Sequence, residues 1–359
     1  MKAIVYHGIN DVRYEPNWAD PRPLKPGEAR IMTAWAGICG TDMEDLRNGA
    51  IVPIGTPHPE SGRMAPLVLG HEYSGTVVET APDVTHVKPG DRVAMECIRY
   101  CGHCEFCARG QFASCLNQVS IGQHDDGGMA EYFNIPAYDC IKIPDSMPLD
   151  VASLTEPFAV MLRAARKGRV GLGDTVTVVG AGAIGLFGIS AARMAGATNV
   201  IMIAHGGYRA EVAKMMGANH VLNSKEEGWR EGFLDLTEGR GSDVVFDCGG
   251  NAAAIRQAVS LAKRHGRVVV TTVLDEDVPL NALDIMYNEK EIIGTVAHQH
   301  NEEIKWAVQY FADGRVDPTP MITDRIYIAD AIEKGFDELT KNRDHIKILI
   351  TPQKELLEK

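Results

Sequence analysis

The chain has 359 residues, of which 45% are hydrophobic and 23% charged, with 36 glycines and a formal charge of −12. That length suggests two domains or one large one, and the composition is that of a globular protein able to fill large cores. The acidic balance argues against a general nucleic-acid role, because phosphate binding calls for a basic face.

The opening segment MKAIVYHGIN reads as a strand and lacks the long apolar core of a signal peptide. No apolar run reaches the roughly 18 residues of a membrane span. A soluble, cytoplasmic protein is expected, and in that reducing compartment clustered thiols more often hold metal than form disulfides. Up to about residue 155 the chain shows short β-type runs broken by Gly and Pro: KAIVYHG, GEARIMTAWAGI, EYSGTVVE, GDRVAMEC and AEYFNIP. They predict an all-β, barrel-like domain with insertions. From about residue 157 the rhythm changes. PFAVMLRAARKG reads as a helix, TVTVVG as a strand, AIGLFGISAARMAGA as a helix, NVIMIA as a strand and RAEVAKMMGA as a helix. SDVVFDCGG and GRVVVTTV read as further strands, with NAAAIRQAVSLAKRHG as a helix between them. Strands alternating with helices predict a parallel, doubly wound sheet, so the fold class is α/β. After about residue 295 come a helix, NEEIKWAVQYFADGRV, and finally the strand HIKILIT.

The β-rich part carries three separated stretches of ligand-type residues. GICGTDMEDL holds Cys39, Thr41, Asp42 and Glu44, LVLGHEYSG holds Gly70, His71 and Glu72, and SLTEPFAV holds Glu156. Cys, His and Glu are donors that zinc accepts, and a catalytic zinc keeps one position open for water or substrate. Between them lies CGHCEFCARGQFASC, whose Cys101, Cys104, Cys107 and Cys115 have the spacing C-x2-C-x2-C-x7-C. Short loops between thiolates fit one closed tetrahedral centre, which is structural. A ferredoxin-type cluster shares the early spacing, but its remaining ligands and Cys-Pro are missing. Cys97, Cys140 and Cys248 fall outside the pattern and read as ordinary buried thiols.

TVTVVGAGAIG places Gly180, Gly182 and Gly185 in GxGxxG spacing, with Ala183 and Ile184 between the last two. The motif follows an apolar strand and opens a helix, the context that marks a dinucleotide site. The first Gly permits a tight turn, the second lets backbone amides approach the pyrophosphate, and the third allows close helix–strand packing. The helix N-terminus adds a partial positive charge. About 20 residues on, NVIMIAHGGYR puts Ala204 where a carboxylate would bind the ribose hydroxyls of NAD, followed by His205 and Arg209. No acid is present to repel a 2′-phosphate, and His205 and Arg209 can help to bind one, so NADP is expected over NAD. The competing reading makes Arg209 a solvent-facing helix residue.

GICGTD, GHEYSG, VKPGDRV, CGHCEFC and GAGAIG stand in the order and spacing of the zinc-containing medium-chain alcohol and polyol dehydrogenases. The resemblance runs over essentially the whole chain and is strongest to the 2,3-butanediol, sorbitol and threonine dehydrogenase branch. PHPESGRMAPLVLGHEYSG and IEKGFDELTKNRDHIKILI resemble the butanediol type in particular. The resemblance implies a GroES-like catalytic domain from residues 1–156 and 296–359, the tail packing back on the first part, and a Rossmann cofactor domain from 157–295. It implies two zinc ions. Cys39, His71 and Glu156 match the ligands of a catalytic zinc, and Glu72 matches a carboxylate that approaches the same metal from below. Cys101, Cys104, Cys107 and Cys115 match the structural zinc lobe, often near a subunit contact. Thr41 matches the hydroxyl that shuttles the substrate proton, and Asp42 a partner that orients the histidine. A homo-oligomer, dimer or tetramer, is expected.

The activity implied is hydride transfer between NAD(P) and a secondary alcohol, diol or polyol. Two positions depart from the pattern. Glu44 stands where many relatives have a His that ends the proton relay; glucose dehydrogenases of archaeal type resemble this version. Glu44 is either a relay terminus or substrate-hydroxyl binder, or an exposed helix residue. Ala297 and His298, with His300 nearby, stand where sorbitol dehydrogenases carry Arg-Tyr. The alternatives are an aldose dehydrogenase of glucose type and a non-catalytic nucleotide-binding protein. The joint retention of Cys39, His71, Glu72 and Glu156 argues against the last.

Overall fold

The computed structural model describes residues 1–359 apart from 301, 343 and 359. The chain divides into two compact units, one of residues 1–156 and 298–359 and one of residues 157–297.

The first unit is β-rich. Its main sheet has seven strands, and the path through six of them runs Cys140–Lys142, Arg92–Met95, Glu72–Thr80, Glu28–Gly37, Lys347–Thr351, Ile322–Tyr327. The seventh, Tyr132–Pro136, also pairs with Glu28–Gly37. All of these pairings are antiparallel except the one between the last two strands of the path. Alternating or continuous apolar residues explain the strands: Ile31, Tyr73, Val77, Phe133, Ile348 and Ile350 are all essentially inaccessible. Glu28–Gly37 and Glu72–Thr80 pair with two register irregularities. A β-carbon on Gly75 would run into the Met32 carbonyl, so the bulged ladder needs glycine there. Gly37 lies opposite Glu72 on one side and Leu349 on the other. The far end of the chain is thereby woven beside residues near its start.

The second unit is a six-stranded parallel sheet in the order His220–Asn223, Asn199–Ala204, Thr175–Val179, Ser242–Asp247, Ala262–Val270, Glu291–Gly294. Numbered along the unit, that is 3-2-1-4-5-6, the doubly wound dinucleotide-binding order. Val176, Val178, Val200, Ile201, Val244, Val245 and Phe246 are buried, as expected of central strands with both faces covered. One boundary differs from the sequence reading. The helix read as running through NAAAIRQAVSLAKRHG covers only Ala252–Leu261. At Ala262 the backbone turns extended (φ −71°, ψ 135°). There Ala262 pairs with Ser242 and Lys263 forms an ion pair with Asp243, so sheet pairing overrides helix propensity. The C-terminal helix spans Glu303–Ala312; Asn301, where the sequence reading started it, lies outside the described residues.

Candidate active site

Cys39 is the N-cap of the helix Gly40–Asn48, with extended backbone (φ −97°, ψ 158°). Its N–H donates to Asp42 Oδ2 at 2.9 Å, tying the loop to the first helical turn. The other Asp42 oxygen faces His71 Nδ1 at 3.6 Å. Asp42 is inaccessible, and burial, only partly offset by His71, pushes its carboxyl up to about 6. Burial opposes charge on His71, but Asp42 and then Cys39 outweigh it and hold the imidazole well above its usual value. Asp42 thus stands as a charge on the Nδ1 side of the ring, with Nε2 on the other side. Thr41 Oγ1 stands 3.2 Å from that Nε2.

Glu72 opens the strand Glu72–Thr80 and is inaccessible. Lys347, itself buried, donates to both of its oxygens at 2.7 and 2.6 Å and to the Ile38 carbonyl at 3.2 Å. Burial works to strip the Lys347 proton, but Glu72 outweighs it and raises the ammonium pKa. A β-carbon on Gly37 would collide with the Glu72 carboxylate, so this pair meets over a position that must lack a side chain. Sequence reasoning missed Lys347; its signal was a single cation inside the apolar strand HIKILIT.

Cys39, His71 and Glu72 each offer a donor atom within 4.8 Å of the others. Sulfur, nitrogen and oxygen at that spacing suit zinc. The Cys39 thiol and His71 Nε2 are the donors best placed to bind it, since Lys347 holds the Glu72 carboxylate. Glu156, in the first turn of the helix Thr155–Lys167, is not in that close group. It acts on His71 through its charge, while its Oε1 lies 3.5 Å from His298 Nε2 and 3.9 Å from Cys97 Sγ. Glu44 is turned toward Arg47 at 3.5 Å and Asn48 at 3.1 Å on its own helix, and the structure does not bring it to Cys39 and His71.

Cys101, Cys104, Cys107 and Cys115 converge, all unpaired. Their sulfurs stand 3.5 Å (Cys104–Cys107), 4.0 Å (Cys101–Cys107) and 4.0 Å (Cys104–Cys115) apart. A zinc–sulfur bond of about 2.3 Å gives a tetrahedral edge of about 3.8 Å, and these three separations lie within a few tenths of an ångström of it. Backbone N–H groups of Cys107 and then Leu116 pull the Cys104 thiol down to about 6, favouring the thiolate a metal binds. Gln299 ties the lobe to the C-terminal segment through the Gly110 carbonyl and the Ala113 N–H.

In the second unit, Thr175–Val179 runs into Gly180 at φ +102°, where a β-carbon would strike the Cys248 carbonyl. A β-carbon on Gly185 would strike the Gly180 carbonyl. Gly182 caps the helix Ala183–Ala195, whose first amides, those of Ala183 and Ile184 among them, have no partner within the helix. Ala204 is buried at the end of Asn199–Ala204, and His205 is exposed beyond it. Arg209 reaches back over the glycine turn, its Nη1 donating to the Ala181 carbonyl at 3.3 Å.

Residues 25–145 match the family model Alcohol dehydrogenase GroES-like domain, and residues 183–313 match Zinc-binding dehydrogenase. Together with the fold and the two thiol-bearing groups, these matches define a zinc-binding, nicotinamide-linked dehydrogenase. The chain belongs to the zinc-containing medium-chain alcohol dehydrogenase family and is an oxidoreductase. It is 31% identical to (R,R)-butanediol dehydrogenase of Bacillus subtilis over 98% of this chain and 100% of that protein. It is likewise 31% identical to sorbitol dehydrogenase of Bacillus subtilis, over 99% and 98%. The crystal structure of 2R,3R-butanediol dehydrogenase from Bacillus subtilis superposes with a TM-score of 0.90 at 30% identity, covering 98% of this chain and 99% of that one. A zinc-binding dehydrogenase of Sinorhizobium meliloti bound to NADP superposes at 0.87 with 29% identity, also over 98% and 99%.

Proposed function

We propose that this chain interconverts a small secondary alcohol, diol or polyol and its ketone, with NADP preferred over NAD. One zinc is held at Cys39 and His71 and a second by Cys101, Cys104, Cys107 and Cys115. The observation that carries the reading is the arrangement at His71: Asp42 behind the ring at 3.6 Å and the Thr41 hydroxyl at 3.2 Å from the outward nitrogen. When bound, zinc supplies a Lewis acid for the alcohol oxygen, and the nicotinamide supplies the hydride acceptor. Cys39 and His71 hold the substrate oxygen's neighbourhood in place. Asp42, on the Nδ1 side of His71, favours a proton there and would leave Nε2 to the metal. Thr41 accepts the hydroxyl proton as it gives up its own toward solvent. Glu156 adds negative charge from the first turn of its helix. The first unit, residues 1–156 with 298–359, does this chemistry, and the second, residues 157–297, binds the cofactor.

The absence of an acid at Ala204, with Arg209 beside the glycine turn, supports NADP. Glu44, the reason to consider an aldose, faces Arg47 and Asn48, so the diol reading leads. The likeness to butanediol and sorbitol dehydrogenases supports it further. The strand Glu291–Gly294, at the edge of its sheet, and the helix Ala282–Tyr287 expose Ile292, Leu283, Met286 and Tyr287, which supports a homo-oligomer. No described helix is long and apolar enough to cross a membrane, and unpaired cysteines support a cytoplasmic setting. The test is reduced-nicotinamide absorbance against diols, polyols, aldoses and threonine, each with NAD and NADP. Highest efficiency on a diol or polyol with NADP is expected. Tenfold higher efficiency with NAD overturns the cofactor reading, and turnover confined to aldoses overturns the substrate reading.

A further inference from the structure

The segment between the helix Gly40–Asn48 and the strand Leu67–Val68 is fastened at two places. Near its start the buried Asp45 takes the Ile51 and Val52 N–H groups on one oxygen, at 2.6 and 3.0 Å. Farther on, two half-buried histidines meet. The rings of His58 and His124 lie face to face, with centroids 4.4 Å apart and planes 20° apart. His58 Nδ1 accepts the N–H groups of Glu60 (3.3 Å) and Ser61 (3.4 Å). His124 Nδ1 accepts the Ser120 N–H at 3.1 Å. The opposite nitrogens face backbone carbonyls, that of Gln118 for His58 and those of Ile51 and Gln118 for His124. Ser61 Oγ donates to the His124 carbonyl. An acceptor nitrogen on one side and a donor on the other define a neutral imidazole in each ring.

We propose that this stack is a pH-sensitive clasp on residues 51–65, closed while both rings are neutral and opened when either takes a proton. A proton on Nδ1 evicts the backbone N–H groups that the nitrogen accepts, and two charged rings stacked at this spacing repel. Glu60 draws a proton toward His58, and Arg99, from the strand Ile98–Arg99, opposes it. Arg99 is paired with Asp125 at 2.8 Å and Arg63 with Asp126 at 2.6 Å, so both nearby acids already have a counter-charge. Burial first, and then His58, push His124 down to about 4, and burial pushes His58 below its usual value. Stabilisation of this sign is full above the open-state value of about 6.5 and is lost as pH falls toward the closed-state value. Between about pH 7.5 and about pH 5.5 the ratio of closed to open clasp should fall about five- to tenfold.

The clasped residues join the helix of Thr41 to the strand that precedes His71, so opening loosens the chain between them. The clasp needs no metal or cofactor and stands or falls separately from the reaction proposed above. Hydrogen exchange of the full chain at about pH 7.5 and about pH 5.5, read by mass spectrometry and corrected for the intrinsic pH dependence of amide exchange, tests it. Protection of residues 51–65 and 118–124 is expected to fall about five- to tenfold at the lower pH, while the strand Glu28–Gly37 keeps its protection. The double variant His58→Asn/His124→Asn keeps an acceptor oxygen near each Nδ1 position and cannot titrate there. Its protection in the same residues should be indifferent to pH. Two results overturn the proposal: protection of residues 51–65 in the parent that stays within about twofold between the two pH values, or a loss in the double variant equal to the parent's.

Discussion

Lys347→Met is the most informative single change to the packing around the site. The Lys347 ammonium is bound by both Glu72 oxygens at 2.6 and 2.7 Å, and both side chains are buried. Removing the cation leaves a carboxylate in the interior with its counter-charge gone. Breaking a buried pair in this way costs about 3–5 kcal/mol. At about 2–4 °C per kcal/mol for a unit of this size, the melting temperature should fall by about 6–20 °C. Replacing both partners, as in Glu72→Leu/Lys347→Met, removes the charge and the orphan together and should recover most of the loss. Calorimetric melts of the four proteins in the double-mutant cycle read this directly. A Lys347→Met protein melting within about 2 °C of the parent, or a double variant no more stable than Lys347→Met, would refute the reasoning.

Other expectations can be checked alongside. Arg209→Ala should raise the KM for NADP about tenfold or more and leave that for NAD within about twofold, the loss of a charge-assisted hydrogen bond being about 1.5–3 kcal/mol. Steady-state kinetics with each cofactor would show it. Gly185→Ala should abolish cofactor binding by calorimetry, because its β-carbon has no room beside the Gly180 carbonyl. Burial raises the Glu28 carboxyl, but Arg22 (2.6 and 2.7 Å) and the Lys25 N–H (2.8 Å) outweigh it and depress its pKa. The stabilisation this represents is present above the unfolded value of about 4.3 and is lost as pH falls through the lower folded value. With Arg22 half exposed, it amounts to about 1 kcal/mol at most. Glu28→Gln should therefore be less stable than the parent at neutral pH, and the gap should close in acid, as read by urea unfolding across pH.

What was legible in the sequence was what local geometry dictates. Gly180 and Gly185 announce the nucleotide turn because their β-carbons would meet backbone atoms, a constraint written within six residues. The four-thiol lobe is legible because its ligands sit on one short loop, where spacing alone limits the geometry. Cys39, His71 and Glu72 lie farther apart, and family likeness, not periodicity, marked them as a group. What stayed hidden depends on the tail returning to the barrel. Lys347 meets Glu72 across 275 residues of chain, and His298 meets Cys97 across 201. Cys97, read as an ordinary buried thiol, gave no sign in its own neighbourhood of what lies opposite. Glu156 illustrates the limit of residue type: its helix position was foreseeable, but its orientation toward His298 and Cys97 follows from tertiary packing. The early end of the helix at Leu261 has the same origin, since pairing with Ser242 decides it.

The central claim is that Cys39 and His71 hold the zinc at which alcohol oxidation occurs. Turnover of the preferred diol or polyol by Cys39→Ser, measured with bound zinc on the same sample, tests it most directly. Loss of Lewis-acid stabilisation worth several kcal/mol predicts a fall of at least about a thousandfold, with zinc content reduced by one ion and the thiol lobe still loaded. Parental turnover with unchanged zinc content would contradict the account.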